Sequence, residues 1–131
     1  MTKRITAACA AAALALGAGL APASAETMTT PALKTMIEGM PNTEANVVVF
    51  DVDPGWKTEH HYHPGQLFIY VMEGTLHVEF DGQEPRDYSA GEAFYETPNL
   101  SMVGGNASTT ERAKFVVFQF GEPGQPIMVP D

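Results

Sequence analysis

The sequence predicts a small all-β domain, built as a sandwich or barrel of short strands. Two observations carry this prediction. Runs of apolar, β-branched and aromatic residues recur from residue 47 onward, separated by turn residues at intervals of roughly eight to twelve positions. The chain also has only 131 residues, which is enough for one domain with one core. No internal repeat and no coiled-coil heptad interrupts the pattern.

The strands are expected in order along residues 47–120. The first, at 47–50, ends before the turn residues Asp53-Pro54-Gly55. The apolar run 67–72 ends at Gly74, and residues 75–80 then alternate between apolar and polar before Asp81-Gly82, a hairpin pair. Further strands are predicted at 86–89, 93–97, 100–103 and 113–120.

The two ends flank this β domain. Residues 26–46 form a polar lead-in, in which Pro31 could open a short helix over 32–38 that stops near Gly39; otherwise the lead-in is irregular. The tail, 121–131, holds three prolines and is expected to run over the surface.

The first 25 residues have the pattern of a secretory signal peptide. Lys3 and Arg4 precede an uncharged run rich in Ala and Leu, and the small residues Ala23-Ser24-Ala25 form a cleavage site. The uncharged run 5–20 is shorter than the roughly 20 residues that a membrane-spanning helix needs. We therefore expect export to the periplasm or the medium, with no membrane anchor after cleavage.

Charge and cysteine content exclude several classes of function. The whole chain has a net charge of −9, and residues 26–131 hold five Lys or Arg against all sixteen Asp and Glu, which gives −11. Such an acidic chain is not expected to bind nucleic acid. The single Cys, Cys9, lies in the signal segment, so disulfides and cysteine-based metal clusters are excluded from the mature domain.

A histidine cluster is the strongest chemical feature. Three of the four histidines lie in Glu59-His60-His61-Tyr62-His63. On an extended strand alternate side chains share a face, which places His61 and His63 together. Two imidazoles spaced in this way suit a single borderline metal ion; a polar strand with incidental histidines is the simpler alternative.

These residues resemble the first motif of the cupin superfamily. Gly55, five further residues, His61-x-His63 and then Gly74 follow that motif, and the stretch from Gly91 through Pro98 to Asn106 follows the frame of the second. The resemblance covers about residues 47–120 and implies a single-domain cupin jelly-roll β-barrel with its pocket between the two motifs.

The sequence departs from the cupin pattern at two ligand positions. Leu67 stands where the first motif has a Glu, and Met102 where the second motif has a His. A metal on His61 and His63 could be completed by a group outside the usual set. The candidates for this role are Glu59, Gln66, Glu96 and Met102. By alternation Leu67 lines the pocket. The cupin resemblance implies that Tyr70, Phe94 and Met102 line it too.

Three interpretations of the site stay open. A metal ion (Mn, Fe, Ni or Zn) is held with oxygen ligands; or a softer site that includes Met102 holds copper without catalysis; or a metal-free pocket binds a small ligand, with the two His as acid–base groups. The resemblance implies action on a small molecule, as in cupin dioxygenases, isomerases or lyases, and a homodimer is an expectation of the same kind.

Overall fold

The structure is a computed structural model that describes residues 26–131, and the predicted signal peptide lies outside the described residues. This part of the chain contains strands and no helix. In order, the strands are β1 (Thr27–Met36), β2 (Glu44–Val52), β3 (His61–Tyr62), β4 (Gln66–Glu73), β5 (Thr75–Phe80), β6 (Arg86–Ser89), β7 (Ala93–Glu96), β8 (Met102–Asn106), β9 (Ala113–Gly121) and β10 (Val129–Pro130).

The strands form two antiparallel sheets of five. The first sheet has the order β1-β2-β9-β4-β7 and the second β10-β3-β8-β5-β6. Most neighbouring strands in each sheet are distant in sequence, as in a jelly roll. The all-β architecture predicted from the sequence is thus confirmed. No helix among the described residues is long and apolar enough to cross a membrane.

The core lies between the inner faces of the two sheets. Strand β4 shows why, because its side chains alternate between buried and exposed along the strand. β9 contributes a second inward row to the first sheet, and β5 and β8 supply the facing row of the second sheet. The most deeply buried apolar residues of this core are Val52, Leu67, Ile69, Val71, Leu76, Val78, Met102, Ala113 and Val117.

The lead-in differs from the expectation of a short helix or irregular chain. Residues 27–36 form the edge strand β1, which pairs with β2 along its whole length. Its threonines favour an extended backbone, and pairing with β2 satisfies more backbone groups than a short isolated helix could. Pro31 cannot donate to the ladder, and the register shifts between Pro31 and Leu33.

The tail, expected to run over the surface, instead contributes the short strand β10 to the second sheet. Val129 pairs with Tyr62 and Pro130 with His61, so β10 becomes the edge of the second sheet beside β3. This pairing carries residues 127–130 over the end of the core where the histidines lie.

Candidate functional site

Strand β3 and the residue that follows it place two histidines inside the molecule. His61 and His63 are only 3% and 7% exposed, whereas His60 between Glu59 and His61 is exposed. Their rings meet edge to face, with centroids 4.8 Å apart. The alternation of an extended chain thus brings the pair together in the interior.

Backbone carbonyls fix the tautomer of both rings. Nδ1 of His61 donates to the carbonyl oxygen of Glu59 at 2.8 Å, and Nδ1 of His63 donates to that of Ile127 at 2.5 Å. A carbonyl oxygen can only accept, so each Nδ1 carries a hydrogen and each Nε2 is left with a lone pair in the neutral ring. The two Nε2 atoms face each other at 3.1 Å.

A buried carboxylate completes this cluster. Glu96, in β7, is 5% exposed, and its Oε2 lies 3.0 Å from Nε2 of His63. The distance is that of an ion pair, but Oε2 has no aligned hydrogen-bond donor. Glu96 pairs in register with Leu67 on β4, so the two side chains share the inward face.

The surroundings move the pKa values of the two histidines in opposite directions. Burial lowers the pKa of His61, the nearby charge of His63 lowers it further, and the Glu59 carbonyl opposes both. Burial also acts to lower the pKa of His63, but contact with the Glu96 carboxylate and the Ile127 carbonyl outweighs it and raises that pKa. His63 is therefore the more basic of the two rings.

The cluster lies in the wall of a cavity of about 540 Å³ between the sheets. This volume is within the usual range for small-molecule sites. Most of the wall is apolar and comes from the inner faces of both sheets. The apolar side chains that line it include Phe50, Trp56, Leu67, Ile69, Leu76, Val78, Phe94, Met102, Phe115, Val117, Ile127 and Met128.

Three of the four pocket residues expected from the sequence line this cavity: Leu67, Phe94 and Met102. Tyr70 does not. It follows the inward-facing Ile69 on β4, so the pleat of the strand turns it to the outer face, where it is 44% exposed.

The additional ligand candidates occupy different places. Glu59 lines the cavity while largely exposed, and the atom of Glu59 that contacts His61 is its backbone oxygen. Gln66 is exposed and does not line the cavity. Met102 is buried and pairs in register with His61 on the adjacent strand, which places its thioether on the same inward face. Of the candidates, Glu96 and Met102 are thus beside the two histidines.

The donor set fits a metal ion in part. Two imidazole Nε2 lone pairs converge, and each ring is held by a backbone carbonyl at its other nitrogen, as is usual for metal-bound histidine. Over residues 26–131, however, no group of three or more His, Cys, Asp or Glu side chains is arranged to hold a metal ion. Two imidazole nitrogens that could bind a metal ion thus face each other, but no third donor of these types is arranged with them among the described residues.

Sequence reasoning missed the contribution of the two ends of the domain. Thr27 and Thr29 of β1 and residues 127, 128 and 130 of the tail all line the cavity. Neither end has an apolar periodicity that would have indicated this. The position of Ile127 depends on β10 pairing with β3, a contact across more than 60 residues of sequence.

Solved structures with this fold include both small proteins and enzymes. An uncharacterized conserved protein with a double-stranded β-helix domain from Klebsiella pneumoniae shares 23% identity, with a TM-score of 0.62, over 84% of this chain and 88% of its own. The DMSP lyase DddQ from Ruegeria pomeroyi DSS-3 shares 15% identity, with a TM-score of 0.59, over 66% of this chain and 42% of the lyase.

A third structure is that of an oxalate oxidase, with 26% identity and a TM-score of 0.56 over 66% of this chain and 45% of the oxidase. This chain thus spans less than half of either enzyme. No curated protein matches it. Residues 48–118, more than half of the chain, match the family model described as a cupin domain, and the chain therefore belongs to the cupin domain family.

Proposed function

We propose that this protein is a cupin that binds or acts on a small molecule in the cavity between its sheets, with one divalent transition-metal ion held by Nε2 of His61 and His63. The observation that carries the proposal is the approach of the two Nε2 atoms to 3.1 Å while both Nδ1 hydrogens are bonded to backbone carbonyls. Two facing lone pairs repel each other unless a cation or a proton lies between them.

Glu96 is the best candidate to complete the ligand set. The cupin pattern has a carboxylate where this chain has Leu67, and Glu96 lies directly across from Leu67 on the neighbouring strand. Its Oε2 is buried without a hydrogen-bond donor, which is costly unless a positive group joins it. The carboxylate of the site is thus supplied from β7 instead of β4.

A bound ion would supply Lewis-acid chemistry, polarising an oxygen of the substrate. The chain itself supplies the surroundings of that reaction. The apolar wall excludes water, which strengthens electrostatic interactions with the ligand. Both rings keep their Nδ1 hydrogens on backbone carbonyls, which leaves the two Nε2 lone pairs for the ion. The DMSP lyase and the oxalate oxidase of similar fold support action on a small molecule.

Copper binding without catalysis is a second candidate, favoured by Met102. Its buried thioether is paired across from His61, and a His and Met ligand set is softer than one with a carboxylate. We expect Met102→Leu to reduce a preference for copper over zinc if this set is used. An unchanged preference removes the copper candidate and leaves Mn, Fe, Ni and Zn.

Metal content tests the proposal directly. The full chain and two variants are stripped with chelator, supplied separately with Mn, Fe, Ni, Cu or Zn, desalted and analysed by mass spectrometry of the elements. We expect about one ion per chain in the parent protein and in the matched control His77→Ala, whose histidine lies on the outer face, and none in His61→Ala/His63→Ala. Equal metal content in all three contradicts a metal site and favours a metal-free ligand-binding module.

A carboxylate exchange tests the role of Glu96. Glu96→Leu should weaken metal binding about 10- to 100-fold. Adding Leu67→Glu to that variant moves the carboxylate back to β4, and we expect it to recover most of the lost affinity. If Glu96→Leu binds the metal as tightly as the parent, Glu96 is not a ligand.

The proposal includes export and self-association. Export rests on the charged start, apolar run and cleavage site of residues 1–25, and N-terminal sequencing of the exported protein should begin at Glu26. Self-association rests on the outer face of the first sheet, where Phe68, Tyr70, Met72 and Tyr95 are each 44–45% exposed. Acidic copies repel each other over most of their surface, but this apolar face suits a two-fold contact.

A further inference from the structure

The cavity has one polar end, and the rest of its enclosed wall is apolar. His61, His63 and Glu96 are buried together at the polar end. Among the described residues that line the cavity, the one other charged side chain is that of Glu59, which is exposed. Away from the histidines, a polar group of a ligand would lose its hydrogen bonds to water and meet hydrocarbon instead.

The exposed residues of the lining show where the cavity opens. They are Thr27, Thr29, Glu59, Met128 and Pro130. The first two belong to β1 and the last to β10, which are edge strands of the two sheets, so the opening lies between these edges. Since Pro130 pairs in register with His61, the opening is beside the polar end, and the far wall is enclosed.

The far wall consists of buried apolar side chains from both sheets. Ile69 of β4 is 3% exposed, and Leu76 and Val78 of β5 are 4% and 2% exposed. Contact with such a wall favours apolar surface of a ligand roughly in proportion to the area removed from water. The part of a ligand that lies away from the histidines is therefore expected to be apolar.

Aromatic rings line the cavity at two places, and each is held by a ring beside it. Phe94 stacks on Tyr88, with centroids 3.9 Å apart and an angle of 16° between the planes. Phe115 stacks on Phe50 with centroids 5.0 Å apart, and the ring of Trp56 lies 6.0 Å from that of Phe115. Rings held in this way suit a ligand that itself contains rings, because contact between aromatic rings adds to the benefit of apolar burial.

The volume of the cavity sets the size of this ligand. An apolar cavity of roughly 150 Å³ holds one benzene molecule and does not fill with water. The volume here, about 540 Å³, therefore accepts about two fused rings with space remaining. A ligand of only a few polar atoms would leave most of the apolar wall without contacts.

Gly104 helps to keep this space open. It pairs with the inward-facing Val78 across β5 and β8, so a side chain at this position would point into the cavity. A Cβ added at Gly104 would meet only Cε of Met102, at 3.6 Å. The position thus accepts a larger residue without a clash, at the expense of volume for the ligand.

We infer that the cavity binds an apolar ring compound of about two fused rings, with its polar group confined to the end that lies beside His61 and His63. This inference rests on the proposed function, because it names the ligand class of the same cavity. It does not depend on which polar group the ligand turns toward the histidines, or on whether an ion is bound there.

Four probes that share one phenolic hydroxyl group test the inference, because the common group cancels any preference of the histidine end. They are phenol, 2-naphthol, 6-methyl-2-naphthol and 2,6-dihydroxynaphthalene. The last is symmetric, so either orientation places one hydroxyl group at the apolar end. Binding to the chelator-treated full chain is measured by calorimetry or fluorescence.

The order of affinities decides the outcome. We expect 2-naphthol to bind at least about tenfold more tightly than phenol, because its second ring adds apolar contact. We expect 6-methyl-2-naphthol to bind at least about tenfold more tightly than the diol of similar size, whose second hydroxyl group is buried without a partner. Phenol or the diol binding as tightly as its matched probe, or no binding of the naphthols, overturns the inference.

Variants of β8 locate the binding. Gly104→Leu fills the cavity and should weaken 2-naphthol at least about tenfold, whereas Val103→Leu, on the opposite face of β8, should not. If Gly104→Leu does not fold, Gly104→Ala adds one methyl group without a clash and should weaken 2-naphthol by a smaller factor. Parent-like affinity in the folded Gly104 variant shows that the probes bind elsewhere and overturns the inference.

Metal content of the same samples separates this inference from the proposed function. Metal bound at His61 and His63 without a preference for the two-ring probes contradicts only the ligand class. A preference for the two-ring probes in a protein that takes up no metal contradicts only the metal site.

Discussion

The outer faces of the two sheets differ sharply although their inner faces are alike. The first sheet turns aromatic side chains outward, and the ring of Phe68 contacts those of Tyr95 and Phe120, with centroids 5.1 Å and 5.9 Å away. The second sheet turns out a charged network in which His77 lies 2.6 Å from Asp87 and 3.3 Å from Glu79. Similar strands thus present an apolar outer face in one sheet and a charged outer face in the other.

The largest expected effect on the free energy of unfolding separates the inner face of the first sheet from its outer face. Leu67 and Phe68 are neighbours on β4, but Leu67 is 1% exposed and Phe68 is 44% exposed. Leu67→Ala removes core packing and should lower the free energy of unfolding by about 2–5 kcal/mol. Phe68→Ala should lower it by at most about 1 kcal/mol in the monomer. Urea denaturation at low protein concentration measures both, and similar losses would contradict the assignment of the faces.

The turn that joins the two sheets should produce the next largest effect. Gly74 connects β4 to β5 with a φ of +75°, and a Cβ there would lie 2.6 Å from the carbonyl oxygen of Arg112. Gly82 has a similar φ of +73° but open space around it. Gly82→Ala should cost about 1–2 kcal/mol because of its left-handed backbone alone. Gly74→Ala adds the steric clash and should cost more; an equal loss would show that the backbone conformation decides both.

Self-association tests the contrast between the outer faces. Phe118 pairs in register with Phe68 on the outer face of the first sheet. Phe118→Glu places a charge within the apolar face and should raise the dissociation constant of the proposed dimer at least about tenfold. Glu79→Gln on the second sheet is the matched control and should leave it unchanged. Sedimentation equilibrium measures both, and a parent protein that is monomeric at all concentrations would contradict self-association.

Local patterns predicted most of the β domain. The strands predicted at 75–80 and 86–89 have the observed bounds, because their alternation and turn residues are local properties. The edge strands β1 and β10 were not predicted as strands, whereas the alternation of an extended strand was applied to residues 59–63, which include β3. β1 lacks an alternation of apolar and polar residues and pairs with the adjacent β2, whereas β10 has only two residues and pairs with β3, more than 60 residues away. Tertiary pairing overrides weak local propensity in such segments.

The candidate site was predictable to a similar extent. His61 and His63 were recognisable from their spacing, since a strand determines which side chains share a face. The position of Glu96 opposite Leu67 required the pairing of β4 with β7, and the bond from His63 to Ile127 required the position of the tail. Tyr70 was misplaced because it lies three positions after the inward-facing Leu67, and the alternation of a strand turns such a residue to the opposite face.

The smallest expected effect is a pH-dependent contribution to stability from His60, which lies beside the second sheet. Its Nε2 lies 3.0 Å from a carboxylate oxygen of Asp81 and its Nδ1 lies 3.3 Å from one of Asp131. The hydrogen bond with Asp81 raises the pKa of His60, slight desolvation opposes it, and the charges of both carboxylates add to the rise. The folded protein thus favours the protonated form of His60. The contact therefore stabilises the fold fully at pH values below the ordinary histidine pKa, and this stabilisation is lost as the pH rises through the raised pKa.

An NMR titration of the His60 ring between about pH 5 and 8 measures this shift. Asp81→Asn should return the pKa of His60 toward the ordinary value, whereas Asp87→Asn, which removes the partner of His77, should leave it unchanged. The contacts of His60 are exposed, so neither variant should appreciably alter the proposed dimerisation or the midpoint of thermal unfolding. If Asp81→Asn weakens dimerisation, the charged side of the molecule contributes to the interface. That result would contradict the proposal that self-association uses only the apolar outer face of the first sheet.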